Sequence, residues 1–198
     1  MNTNRPAEEV HSTVDTKNRR IGLGLLMMAY MLSVTDRMIL SVLFEPIKAE
    51  FSLSDTQLGL LGGLTFALFY ATLGVPLAKY ADRNDRRRLI AACLILFSLM
   101  TAVSGLSTGF IMLVFCRIFV GVGEAGVNPA SQSIVADYYP SHQRSLAMSS
   151  LTVGGNIGMI IGFLAGGIVS QIYGWRAAFF VVGIPGVLLG LALLFFLK

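Results

Sequence analysis

Six apolar runs, each about as long as a membrane crossing, occupy most of this chain: residues 21–44, 56–79, 89–107, 110–130, 145–172 and 176–197. A hydrocarbon core needs about 20 helical residues to span it. A lone strand in lipid would leave its backbone unpaired, so each run is expected to be a helix. Composition agrees: 55% of residues are hydrophobic and 13% charged, with a mean hydropathy of +0.71, against roughly 45–50% and 25% in soluble domains. The expected fold is all-α, a polytopic membrane protein of six transmembrane helices over residues 21–198. Residues 1–20 are polar, carry Glu8, Glu9 and Asp15, and are expected to form a disordered cytoplasmic tail. The first run contains Asp36 and Arg37 and follows this long leader, which is unlike a cleaved signal peptide.

Orientation follows from the cationic residues, which collect on the cytoplasmic side of bacterial membrane proteins. With the N-terminus inside, eleven of the fifteen Lys and Arg residues fall on inner segments and only Lys48 and Arg176 on outer loops. Both ends of the chain are therefore expected in the cytoplasm. The basic pI of about 9.3 reports this topology and gives no reason to expect nucleic acid as a partner. Cys93 and Cys116 lie within spans and read as packing residues. No cofactor or metal-ligand spacing is present, and with only His11 and His142, both outside the spans, an enzyme is the least supported class.

Arg37 and Arg117, the remaining two cations, lie inside spans together with Asp36 and Glu124. A charge at bilayer depth costs at least ~2.5–3.5 kcal/mol, so it persists where it faces a partner or a wet cavity. Counting inward at about 1.5 Å per residue puts Asp36 and Arg37 on the first span level with Arg117 on the fourth. Glu124 follows Arg117 by seven residues, on nearly the same helical face and nearer the centre. Two acids and two bases converge if these spans are neighbours. One reading has Asp36 and Arg117 merely neutralising each other to hold two helices together. The other has a carboxylate that gains and loses a proton, because burial favours the neutral acid and a nearby guanidinium the ionised one. Glu124, the deepest, is the better proton carrier, and Asp36 the better partner for Arg37 or Arg117.

The stretch GVPLAKYADRNDRRRL, residues 74–89, resembles the loop between the second and third helices of the major facilitator superfamily. Asp82, Arg83, Arg86 and Arg87 match its pattern, while Ala78 and Asp85 replace the usual glycines. RIFVGVGEAGVNPA, residues 117–130, is similar to that family's fourth helix, an arginine followed by Gly121, Gly123 and Gly126. Pro140 and Arg144 in ADYYPSHQR, and GWR at residues 174–176, also fit. TDR in the first helix with GVGEA in the fourth looks like the spinster-type branch. Bacterial aromatic-acid and sugar-acid carriers share a similar first-helix acid. The resemblance implies a proton-coupled symporter or antiporter of lipid-like cargo, such as a lysophospholipid or another amphipathic organic anion. Asp36 and Glu124 would be its protonatable pair, Arg37 the cation that answers them or binds a phosphate, and Asp82 with Arg83, Arg86, Arg87 and Arg144 its cytoplasmic gate.

Gly154, Gly155, Gly158, Gly162, Gly166 and Gly167 form a smooth stripe on the fifth span, suited to close packing or sliding against another helix. Transporters of the resembled superfamily contain two such six-helix halves with the cargo site between them. The expected partners are therefore membrane lipids, protons and a small or lipid-like cargo, and a missing C-terminal half or a second copy of this chain. The alternative function class is a half-length membrane subunit that binds lipid or a partner, or pairs with itself, without transport. A channel finds little support, since no ring of charges or filter loop is visible. The expected location is the bacterial inner membrane.

Overall fold

A computed structural model describes residues 16–197, apart from the side chains of Thr16, Lys17 and Asp82. In chain order it contains α1 (Thr16–Phe51), α2 (Asp55–Gly59), a π-helical turn (Leu60–Leu64), α3 (Thr65–Arg83), α4 (Arg86–Ser104), α5 (Phe110–Tyr138), α6 (Ser141–Tyr173) and α7 (Trp175–Phe196). The π turn welds α2 to α3 into one span. Among the described residues there are thus six helices long and apolar enough to cross a membrane, and no strand.

Several helix ends depart from their apolar runs, three of them for a visible physical reason. The tail expected through residue 20 is shorter than that, because α1 already begins at Thr16. Arg19 lies over the Tyr139 ring at 4.7 Å, and its carbonyl accepts a hydrogen bond from the Tyr139 hydroxyl at 3.4 Å. The rest of that tail, residues 1–15, lies outside the described residues. α5 continues past Ala130 to Tyr138 because Ile134 and Val135 remain buried while Asp137 reaches Arg86. α4 stops at Ser104, where the Gly105 and Leu106 amides bond back three residues and tighten the last turn.

α1 is the hub. It packs along α6 on one side and meets α5 and α7 on others, while α4 lies between α5 and α7 and α3 rests on α5. The α6 glycine stripe is the seam with α1. A Cβ on Gly154 would stand 2.7 Å from Met27, one on Gly155 2.5 Å from the Tyr30 ring, and one on Gly162 2.8 Å from Met38. At Gly158 it would collide with the Met31 carbonyl, and at Gly166 it would press on Val42 and Ile39. The Thr35 hydroxyl donates to the Gly158 carbonyl at 2.9 Å across this seam. Gly121 gives way to Phe66 on α3, and Gly123 and Gly126 to Cys93 on α4. A second set, Gly183, Gly186 and Gly190 on α7, admits Ser98, Ala102 and Ile95 of α4. Small residues let helices approach closely in a medium where lipid competes with every apolar contact. Gly167 differs from its neighbours, since a Cβ there meets nothing within 4 Å.

Gly158→Val is therefore expected to lower stability by ~1–3 kcal/mol or more through overpacking, whereas Gly167→Ala leaves it unchanged or slightly raised. Thermal unfolding of the two variants in detergent, followed by the near-ultraviolet signal of Trp175, checks the contrast.

Candidate functional site

Asp36 and Arg37 are consecutive on α1, so their side chains leave the helix about 100° apart and meet different partners. Asp36 turns inward. Its Oδ2 accepts from Arg117 Nη1 at 2.9 Å, and its Oδ1 accepts from the Thr101 hydroxyl of α4. The side chains of this pair are 0% and 3% exposed. Arg37 turns toward α3 and places both Nε and Nη2 2.6 Å from one oxygen of Glu124, Oε2. Ser33, one turn earlier on the same face, donates its hydroxyl to that oxygen at 2.8 Å. α1 and α5 are thus joined by two ion pairs one above the other, Asp36 with Arg117 and Arg37 with Glu124.

The pairs differ in environment. Asp36 has donors on both oxygens, while Glu124 Oε1 is buried without a partner. Glu124 is fully buried, whereas the Arg37 side chain is 33% exposed. Its guanidinium lies over the rings of Phe66 at 5.0 Å and Tyr70 at 5.2 Å, a cation–π cage that holds a charge without neutralising it. Arg37 and Arg117, with Met38, Leu40, Ser41, Gly62 and Phe66, line a cavity of about 160 Å³. Arg117 Nη2 is a buried donor with no acceptor. The arrangement offers an anion two guanidinium groups and an apolar wall.

At the arginine-rich end of the bundle, Arg86 donates to the Asp137 carboxylate and to the Ala81 carbonyl, and Arg144 donates to the Ala136 carbonyl at 2.7 Å. Both arginines therefore clamp the last turn of α5. Arg87 reaches the Leu197 carbonyl at 3.0 Å, Arg83 is exposed, and the Asp82 side chain lies outside the described residues. Asp85 accepts from the Arg87 amide at 3.0 Å and caps α4. The Arg87 guanidinium beside it holds its carboxyl below the usual carboxylate range. At the opposite end Glu50 accepts from the Trp175 indole and from Arg176, each at 2.7 Å. Arg176 also donates to the Ser107 carbonyl at 3.0 Å. The GWR tripeptide thus ties α1 and α7 to the loop that follows α4, beginning at Gly174, whose φ of 83° suits a residue without Cβ.

Residues 26–198 match the Major Facilitator Superfamily. The chain belongs to this superfamily. A crystal structure of a bacterial homologue of the human lysosomal transporter Spinster, inward-facing and unoccupied, superposes with a TM-score of 0.87. That homologue is 36% identical, and the match covers 93% of this chain and 44% of that one. An MFS-type efflux pump of Mycolicibacterium smegmatis is 35% identical over 84% of this chain and 39% of its own length. The cis,cis-muconate transport protein of Acinetobacter baylyi is 31% identical over 93% of this chain and 44% of its own. The chain spans about two fifths of the curated relatives it matches, and it is a six-helix N-terminal half of the facilitator fold. These relatives are transporters and not enzymes. The helices and this membership make the protein an integral membrane protein.

In this facilitator half, Asp36, Arg37, Arg117 and Glu124 come together as their spacing implied. Arg86 and Arg144 share one target, and Arg83 stays apart from them. Sequence reasoning missed Ser33, Thr101, Phe66 and Tyr70. Ser33 had a usable signal, since it precedes Arg37 by four residues and shares its face. Thr101 and the two rings come from other helices, and only the packing brings them in.

Removing one partner of a buried ion pair strands the other, at about 3–5 kcal/mol. Arg117→Leu is accordingly expected to destabilise the bundle by that order. The double variant Asp36→Leu with Arg117→Leu should lose less than Arg117→Leu alone. A double-mutant cycle read by thermal unfolding measures the coupling.

Proposed function

We propose that this half works within a secondary active transporter of organic anions, driven by protons through Glu124 and moving by rocking alternating access. The observation that carries this reading is the cavity where Arg37 and Arg117 face one another beside an ion pair with a spare carboxylate oxygen. An anion entering it competes with Glu124 for Arg37. As Arg37 turns to the cargo, Glu124 loses its counter-charge in a dry site and takes a proton, so anion and proton binding are linked. Asp36 keeps Arg117 and Thr101 throughout and holds α1, α4 and α5 in register. Met38, Leu40 and Phe66 give the site an apolar wall, which supports an amphipathic cargo such as a lysophospholipid. The muconate carrier among its relatives supports the organic-acid class.

The positive-inside distribution supports a bacterial inner-membrane location with both ends of the segment cytoplasmic. Asp82, Arg83, Arg86, Arg87 and Arg144 then stand at the cytoplasmic gate. Large apolar residues such as Leu68 and Val75 on α3 and Ile160 and Leu164 on α6 are exposed. A C-terminal six-helix half, or a second copy, would close the cargo cavity against these helices.

The test is proton movement in membrane vesicles bearing the protein at its native length, driven by a gradient of cis,cis-muconate or of lysophosphatidic acid. Glu124→Gln is expected to cut cargo-driven proton movement by roughly 10²-fold or more, the scale of losing a positioned acid–base group. Unchanged coupling after Glu124→Gln and Asp36→Asn together would remove the proton role.

A further inference from the structure

We propose that α5 carries a water-filled proton route from Glu124 toward the arginine-rich end of the bundle, with the Asn128 amide and the Ser131 hydroxyl as its stations. The inference rests on the reading of Glu124 as the proton carrier. Besides Arg117 Nη2, three buried atoms on α5 have no hydrogen-bond partner: Glu124 Oε1, Asn128 Oδ1 and Ser131 Oγ. Their residues follow one another by four and three, which places them on one face of the helix, about 6 Å and then 4.5 Å apart along its axis. Buried polar atoms left unpaired are costly, and where they line a polar, roomy site ordered water satisfies them.

Ser131 stands out against the other hydroxyls of the bundle. Thr35, Ser104 and Ser149 each donate to the carbonyl four residues back in their own helix, the usual way a helical hydroxyl avoids being stranded. The Ser131 hydroxyl does not bond back in this way and is left for something other than protein. Ser98 is a second buried hydroxyl without a partner, but it faces Gly186 on α7, away from this track. Asn128 is held in place by its own Nδ2, which donates to the Tyr70 hydroxyl at 3.1 Å and leaves Oδ1 turned inward. Beside Asn128 opens a cavity of about 310 Å³ lined by Tyr70, Gly74, Ala125, Asn128, Pro129 and Gln132. Water therefore has both an entrance and fixed polar partners.

The transfer needs no reagent beyond water. The Glu124 proton leaves Oε1 for a first water, and that water passes one of its own protons to a second, oriented by Asn128 Oδ1. The Ser131 hydroxyl accepts from that chain and donates onward, so only O–H bonds are broken and made. Around Glu124 the charged and titratable neighbours are Arg37 and Asp36 from α1 and Tyr70 from α3, stacked on Arg37. Arg117 lies on α5 itself. From α4, Thr101 is engaged with Asp36, and Cys93 packs on Gly123 and Gly126. α6 turns its glycines to α1, and its Arg144 is engaged at the end of α5. Tyr70 meets the same face through the Asn128 Nδ2, and Arg117 lies on it two turns before Glu124, but no described protein group pairs with Asn128 Oδ1 or Ser131 Oγ.

The experiment follows hydrogen–deuterium exchange of the Glu124 carboxyl by infrared difference spectroscopy, with the protein at its native length in lipid vesicles at acidic pH and the buffer switched to heavy water. The band is assigned by its loss in Glu124→Gln. Ser131→Ala and Asn128→Leu are expected to slow exchange by roughly tenfold or more. Ser131→Thr, which keeps the hydroxyl, and Ser98→Ala should exchange at the wild-type rate. Wild-type exchange in Ser131→Ala and Asn128→Leu with the band present overturns the route and leaves the role of Glu124 standing. Equal slowing in Ser131→Ala and Ser131→Thr also overturns it, because the hydroxyl is then irrelevant. If no carboxyl band is lost in Glu124→Gln, the proton-carrier reading falls, and the route with it.

Discussion

Asp36 and Arg117 carry opposite charges at almost fully buried positions, and each is tolerable there only against the other. That constraint fixes how α1 stands on α5. Once Asp36 is committed to Arg117 and Thr101, the next residue, Arg37, must point toward α3. Its anionic partner among the described residues is Glu124, two turns beyond Arg117 on α5. The α6 glycines complete the arrangement from the other side, since α1 reaches its register with α5 while backed by a helix that admits its carbonyls at van der Waals range. Charge on one face of α1 and the α6 glycines set against the other are two parts of one solution.

The two ion pairs have similar chemistry and different opportunities. The Asp36 carboxylate is saturated by a guanidinium and a hydroxyl, and its side chain is shut off from both cavities. Glu124 has one oxygen occupied by Arg37 and Ser33 and the other unclaimed, and its cation is a third exposed and caged by rings. A pair of the first kind resists change, because breaking it strands two charges in the interior. A pair of the second kind has a competitor at hand, any anion entering the cavity shared by Arg37 and Arg117. On the proposed reading, a fixed pair beside an exchangeable one would let a six-helix half keep its shape while its charge state changes.

Much of this was legible in the sequence because a membrane leaves few alternatives. Apolar length dictated six helices, and the i, i+7 spacing of Arg117 and Glu124 placed both on the face that α1 meets. The α6 glycine spacing announced a close seam. Other features were hidden for physical reasons. The extra turns of α1 and α5 depend on tertiary contacts, Arg19 on Tyr139 and Arg86 on Asp137, that no local pattern reports. The π-helical turn at Leu60–Leu64 resembles any apolar run. Glu50 reads as a loop-side acid until Trp175 and Arg176 arrive from residues far along the chain. Which cation each acid would choose also stayed open, since Asp36 suited Arg37 or Arg117 equally until the direction of its side chain was known.

The central claim is that Glu124 exchanges its proton while Asp36 stays locked to Arg117. Its most direct test is solid-state magnetic resonance of the isotope-labelled carboxyl carbons of both residues in lipid vesicles as the pH is lowered. The account predicts that the Glu124 signal moves to the position of a neutral acid while that of Asp36 remains that of a carboxylate. A signal that moves for Asp36 and stays fixed for Glu124 would contradict it.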